Sequence, residues 1–327
     1  MKKKKFSLGD SLGSDLPAGL VVYLVALPLC LGIALASTGR PDLLFAGIIA
    51  GFVGGIVVGS ISGSPLGVSG PAAGLVVIVL TAIKTLGTFE ALLLAIVLAG
   101  IVQLIAGYLK AGVIGYYFPS SVIKGMLAAI GITLILKEIP HALGYDEDFV
   151  GDEALSQMDG HNTFTELYYA FVYNNPGAII ICLASLAVLI LFDRPFMKKI
   201  ALFKFVPGAL FVVVIGIVLN YFFTQSASGL ALSEKHLVQL PVASSPKEFI
   251  GFFRFPDFTA LSNPQVYVVA FTIAIVASLE TLLCVEATDK LDPYKRITPT
   301  NQELKAQGIA VSYTHLRAHE TKANLVC

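Results

Sequence analysis

Two groups of residues in this 327-residue chain have the types and spacing to do chemistry. The first is a lone carboxylic acid in an apolar run. Val266 to Cys284 reads VYVVAFTIAIVASLETLLC, and Glu280 is its one carboxylate, fourteen residues beyond Val266. In a helix that places it about 21 Å along a hydrocarbon layer about 30 Å thick. An ionisable group there is costly and functional by default. Burial disfavours its charged form, so Glu280 is a candidate proton carrier. Alternatively, Glu280 with Thr281, Ser278 and backbone carbonyls could hold a sodium ion. The competing explanation is a short helix whose acid reaches the membrane surface. Glu286 and Asp289 are read that way.

The second group is the stretch Ser62-Gly63-Ser64-Pro65-Leu66-Gly67-Val68-Ser69-Gly70-Pro71. Pro65 and Pro71 disfavour helix in the residues before them, and the glycines permit unusual dihedrals and close backbone approach. Ser69 or Gly70 is a natural N-cap, and proline suits the first helical position. A helix is therefore expected to start at Pro71. Its first amides lack intrahelical partners and the helix dipole makes that end positive, so an anion is the natural ligand.

These groups need elements to hold them. Hydrophobic residues make up 56% of the chain, charged residues only 13%, and mean hydropathy is +0.80. A soluble domain carries about twice that charge fraction. The composition excludes ordinary soluble enzymes and disordered or collagen-like chains, and leaves an all-α polytopic membrane protein. Lys+Arg equals Asp+Glu, 22 each, so no basic surplus points to nucleic acid. Spans are expected at Leu16–Ala36, Leu43–Ile61, Ala91–Leu109, Ser120–Leu136, Gly177–Phe192, Phe205–Phe223 and Val266–Val285. The run Ala72–Ile83 is too short to cross unaided.

Charge sets the orientation. Lys2–Lys5 place the N-terminus in the cytoplasm, and Lys198, Lys199 and Lys204 mark a second cytoplasmic loop. The acidic segment Glu138–Glu166 is expected outside. Lys290, Lys295, Arg296 and Lys305 return the chain inside. These assignments agree only if Ala72–Ile83 and its extended lead-in count as one crossing, a broken helix at membrane depth. Such backbone is tolerated where protein buries it or water reaches it, and it typifies secondary transporters. Lys2–Lys5 before an apolar run imitate a signal peptide, but the run is long for one and many spans follow, so it is read as a membrane segment.

Cys30, Cys182 and Cys284 lie in apolar runs without CxxC spacing and are read as reduced thiols. Gln103, polar in an apolar span, is expected to hydrogen-bond another helix. Dinucleotide, Walker A and HExxH motifs are absent, so no cofactor, ATP-driven step or zinc proteolysis is expected. The tail Val311–Cys327 breaks the composition; SYTHLRAHET resembles translated vector read-through, and the natural sequence is expected to differ after Ala310. His315 and His319 are four apart, but no third metal ligand is evident.

The runs DLPAGLVVYLVALPLCLGIALAS, GVSGPAAGL and ASLETLLCVEATDKLDPYKRITPTNQELKAQG resemble the SulP sulfate-permease family, whose relatives include anion exchangers and bicarbonate transporters. The resemblance covers Asp15 to about Ala310. It implies a transporter of fourteen segments in two inverted repeats of seven, with one half-helix in each repeat. This chain would hold the first repeat, with segments one to four in a core domain and five to seven in a gate domain, plus segment eight. The expected organisation is a cytoplasmic N-terminus (1–14), a transporter domain (15–310) and the tail (311–327). The family places its anion between facing half-helices three and ten, beside segments one and eight. That carries an anion-binding role to Ser69, Gly70, Pro71, Ala72 and Ala73, and to Leu29 and Ile33 of segment one. The family's segment-eight acid falls on Glu280. A position that helps bind sodium in some relatives falls on Cys284, whose lack of a hydroxyl favours a proton. Half-helix ten and the cytoplasmic STAS domain of many relatives have no counterpart in this sequence.

The resulting expectation is secondary active transport of sulfate or bicarbonate across the inner membrane by alternating access. The expected partners are the anion, a coupling proton or sodium ion and the lipid bilayer, with a homodimer left open. The alternatives are an anion channel on the same fold, a membrane-embedded enzyme, and a truncation product that does not transport alone. An enzyme should cluster His, Asp, Ser or Arg at one face, and His141 and His161 stand in an acidic loop without such a cluster.

Overall fold

The computed structural model describes residues 8–147, 162–195, 197, 208–226, 229–233, 236–237, 240–313 and 320–321. Lys2–Lys5, Lys198, Lys199, Lys204, His161, His315, His319 and the acids Asp148, Asp152, Glu153 and Asp159 lie outside the described residues. The protein is helical. The described helices are α1 (Leu8–Thr38), α2 (Leu44–Val53), α3 (Gly59–Ile61), α4 (Val76–Leu86), α5 (Phe89–Tyr108), α6 (Ser120–Leu143), α7 (Thr163–Val172), α8 (Pro176–Asp193), α9 (Gly208–Gln225), α10 (Pro246–Gly251), α11 (Pro264–Leu291) and α12 (Thr300–Tyr313). The strands β1 (Gly67–Val68) and β2 (Glu320–Thr321) form one short antiparallel pair.

Six stretches among the described residues are long and apolar enough to cross a membrane: Asp15–Thr38, Pro41–Ile61, Phe89–Tyr108, Pro176–Asp193, Gly208–Gln225 and Pro264–Leu291. Each overlaps an expected span. α6, at 24 residues, also has crossing length. α4, at 11 residues, is short as expected. Local chemistry sets the boundaries. Thr88 caps α5 by accepting from the Ala91 amide. Asn175 and Asn263 cap α8 and α11, each followed by proline at the first helical position. Gly87, at φ 82°, ends α4 in the left-handed conformation that glycine adopts without strain.

The chain forms two compact units. One comprises residues 1–26, 136–147 and 154–239. Within it, Lys137 pairs with buried Glu166 at 3.5 Å, and Asp146 accepts hydrogen bonds from His141 and His236. Burial pushes the Asp146 carboxyl up, but the two histidine bonds outweigh it and hold it below its ordinary value. α7, whose capping box is built on Asn162 and Thr165, was not anticipated, because ten residues of mixed polarity give no spanning signal.

The other unit comprises residues 27–135, 148–153 and 240–327. The expected fifth segment, α6, is divided between the two units at residue 135. The second unit holds the main apolar core, where Leu43, Leu75, Phe89, Leu92, Leu93, Ile96 and Ile273 are all nearly inaccessible. α12 was also missed. It is polar in sequence, yet Glu303, Leu304, Ala306 and Gln307 are each 1% exposed or less. Gly308 lets α12 reach the α5 backbone: a Cβ there would lie 2.7 Å from the Leu104 amide nitrogen and 2.8 Å from the Gly100 carbonyl oxygen. Val311, placed in the tail by composition, is buried in the main core, and the helix runs on to Tyr313.

Candidate functional site

The site is built on the break between α3 and α4. α2 continues through a π-helical turn, Gly54–Val58, into α3, and the chain then extends from Ser62. Serines order this stretch locally. The Ser62 hydroxyl accepts from the Ser64 amide at 3.0 Å, and the Ser64 hydroxyl accepts from the Gly67 amide at 3.0 Å. Gly54 lets it pack back on α2: a Cβ there would lie 2.3 Å from the Ser69 carbonyl oxygen. π turns recur at functional sites, and this one abuts the residues singled out by sequence.

Ser69, Gly70, Pro71 and Ala72 are buried. The helix does not start at Pro71, as the cap reading expects. A 3-10 turn, Ala73–Leu75, comes first, and regular α-helix begins at Val76, with no side-chain cap. Ser69 is held instead by Gln307, whose amide nitrogen donates to the Ser69 hydroxyl at 3.2 Å. That tether keeps Ser69 from curling over the helix end as a cap. The Leu75 amide donates to the Ala72 carbonyl at 3.2 Å, while the amides of Ser69, Gly70 and Ala72 donate to no backbone carbonyl among the described residues. A Cβ on Gly70 would meet nothing within 4 Å, so open space lies on that side of Gly70. Buried amides without a backbone partner need an acceptor, and an anion can provide one.

The segment-one positions meet the start of α4. Ile33 is 3% exposed and clusters with Ala36 and Val76, and Leu29 packs against that cluster. They supply an apolar wall, with no polar atom for a ligand.

Glu280 comes to the same place from α11. A Cβ on Gly74 would lie 2.9 Å from Glu280 Oε1, so the carboxyl rests directly against the turn that opens α4. Glu280 is half-buried and Gly74 is exposed. Cys284, one helical turn further and also half-buried, shares the Glu280 face of α11. Thr281 and Ser278, on either side of Glu280, also hydrogen-bond to their own helix. Thr281 donates to the Ala277 carbonyl at 2.8 Å. Ser278 donates to the Ala274 carbonyl at 2.6 Å and accepts from Gln103 at 2.9 Å. Residues two apart on a helix point to different faces, so Ser278 serves the contact with α5 that was expected of Gln103.

Glu286 and Asp289 differ from each other. Glu286 pairs with Lys290 at 3.4 Å near the end of α11. Asp289 accepts from the Thr298 amide and hydroxyl at 2.7 and 2.6 Å, so it shapes the turn into α12 instead of reaching for the surface. Asp292 completes that turn. Its carboxyl accepts from the Arg296 side chain and amide and from the Tyr294 amide, and the Arg296 hydrogen bonds hold it well below the usual carboxylate range. This turn directs α12 back along the break. Gln307, Glu303, Gly54 and Gly74 escaped sequence reasoning because each acts through a partner distant in sequence. The one available signal was a buried-type spacing, Glu303 and Gln307 four apart in an otherwise ordinary polar segment.

Residues 12–313 match the Sulfate permease family. YvdB of Bacillus subtilis (strain 168), which carries the name of a sulfate transporter, is 28% identical over 90% of this chain and 51% of its own length. Bicarbonate transporter BicA of Picosynechococcus sp. (strain ATCC 27264 / PCC 7002 / PR-6) is 25% identical over 94% of this chain and 50% of its own. The chain thus spans about half the length of these curated relatives. Among solved structures, the transmembrane domain of a cyanobacterium bicarbonate transporter BicA aligns with a TM-score of 0.61 at 21% identity, covering 98% of this chain and 77% of that one. SLC26A9 aligns with a TM-score of 0.59 at 15% identity, covering 98% and 51%. Both likenesses concern the fold. The family match runs from within α1 to the last residue of α12, over every element that builds the site, and the chain belongs to the sulfate permease family.

Proposed function

We propose that this chain forms part of a secondary anion transporter of the inner membrane, with a cytoplasmic N-terminus, and not an enzyme. The anion, sulfate or bicarbonate, binds at the amides of Ser69, Gly70, Ala72 and Ala73 beside the Leu29–Ile33 wall, with Pro71 fixing the turn. Glu280 carries the coupling proton. The observation that carries this reading is the Glu280 carboxyl resting on Gly74, close in the chain to buried amides that donate to no backbone carbonyl among the described residues. Names of the relatives supply the substrate class: one is a sulfate and one a bicarbonate transporter.

The coupling follows from electrostatics. An ionised Glu280 beside the half-helix start repels an anion there, and the neutral acid does not. Protonation and anion binding therefore favour each other, and the linkage is reciprocal. Cys284 offers a thiol where a hydroxyl would suit sodium, which favours the proton. Alternating access then moves the loaded site between the two faces.

The test is Glu280→Gln, a fixed mimic of the neutral acid, reconstituted into proteoliposomes. Anion exchange or binding should persist and lose its pH dependence, while proton-driven uphill uptake is abolished. Uptake with an unchanged pH profile would sink the proposal.

A further inference from the structure

α12 straps the end of α3 and the extended stretch before α4 at three points. The Gln302 side chain donates to the Ile61 carbonyl at 2.7 Å, the Ser62 hydroxyl donates to Glu303 Oε2, and Gln307 donates to Ser69. Glu303 and Gln307 are four apart on one helical face, and each is 1% exposed. The proposed transport step uses neither of them.

We propose that Gln307, oriented by Glu303, sets the polarity of the Ser69 hydroxyl and is a positioning residue for the anion site; this rests on the reading of Ser69–Ala73 as anion-binding. A carboxylate only accepts hydrogen bonds, whereas a glutamine amide has a donating and an accepting end. Glu303 Oε1 lies 3.4 Å from Gln307 Nε2, so the carboxylate selects the nitrogen end of the amide. The same nitrogen donates to Ser69 Oγ at 3.2 Å. The Ser69 hydroxyl therefore accepts from Gln307 with one of its lone pairs, and it makes no other hydrogen bond among the described residues. Its proton is left to donate to a ligand. Were the amide reversed, Ser69 would give that proton to Gln307 and turn a lone pair toward the site, which repels an anion. The relay from Glu303 through Gln307 to Ser69 thus selects negative charge with no cationic side chain.

The test is equilibrium binding of radiolabelled sulfate and, separately, bicarbonate to the purified full chain in detergent. A double-mutant cycle would use Ser69→Ala, Gln307→Met and the pair. Each single variant should weaken binding by about tenfold, the loss of one hydrogen bond to a charged group. The pair should be no weaker than the worse single variant, because Gln307 acts through Ser69. Glu303→Gln keeps the shape and releases the amide from its fixed sense, and it should show a smaller loss that also vanishes in the Ser69→Ala background. Retained elution volume and melting temperature establish that each variant is folded. Additive losses, or an unchanged affinity for both Gln307→Met and Glu303→Gln while Ser69→Ala weakens binding, overturn the relay alone. Full affinity in Ser69→Ala, or no binding of either anion by the unaltered chain, overturns the anion-site reading beneath it.

Discussion

Gly74 leaves room at the one place where a side chain would press on the Glu280 carboxyl. Gly74→Ala should displace that carboxyl from the half-helix start. The atom met is the far end of a flexible side chain, so the fold should tolerate the change, with a melting temperature within about 2 °C of the parent. The pH profile of anion uptake should nevertheless move. A superimposable profile would mean that the Gly74 contact does not couple acid to anion. At this scale the sequence revealed the chemistry but not its neighbours. Glu280 is conspicuous because an acid is rare in an apolar run, and Ser69–Ala73 because glycine and proline break a helix where an apolar segment begins. Gly74, Gly54 and Gln307 are ordinary residues until the fold brings a carboxyl, a carbonyl and a hydroxyl against them. Spacing cannot show a contact made across more than two hundred residues, as between Ser69 and Gln307.

Among the elements, the apolar spans were legible because each has the length that hydrocarbon demands, and several have a cap or proline at their start. The start of α4 was read too early, since a cap rule treats the helix end alone and the Gln307 tether acts from outside it. α12 was invisible for a different reason. Its burial comes from small residues and satisfied polar groups, which no hydropathy scan rewards. The close contact of α12 with α5 predicts a sharp contrast. Gly308→Ala would drive a Cβ into helix backbone that cannot yield, and should destabilise the protein by about 1–3 kcal/mol. Gly125→Ala, in α6 with nothing within 4 Å of the added atom, should be neutral or slightly stabilising. Thermal melting of both variants in the same detergent measures the difference. Equal stability would contradict the backbone-to-backbone packing of these helices.

At the scale of the whole molecule, the fold brings together elements far apart in sequence. The stretch before α4 brings amides that donate to no backbone carbonyl among the described residues, α11 brings an acid, and α12 holds that stretch. All three belong to the same compact unit. Charge patterning and the shortness of the apolar run point to a broken helix, and α4 is short and preceded by extended chain and a 3-10 turn. If the amides of Ser69, Gly70, Ala72 and Ala73 bind an anion, a heavy-atom analogue of sulfate should locate it. Selenate replaces sulfate closely and scatters anomalously at the selenium edge. Crystals of the chain grown with selenate should show one anomalous peak within hydrogen-bonding distance of these amides and the Ser69 hydroxyl, and Glu280→Gln should keep or strengthen it. A selenate peak elsewhere in the unit, with none at the start of α4, would contradict the account.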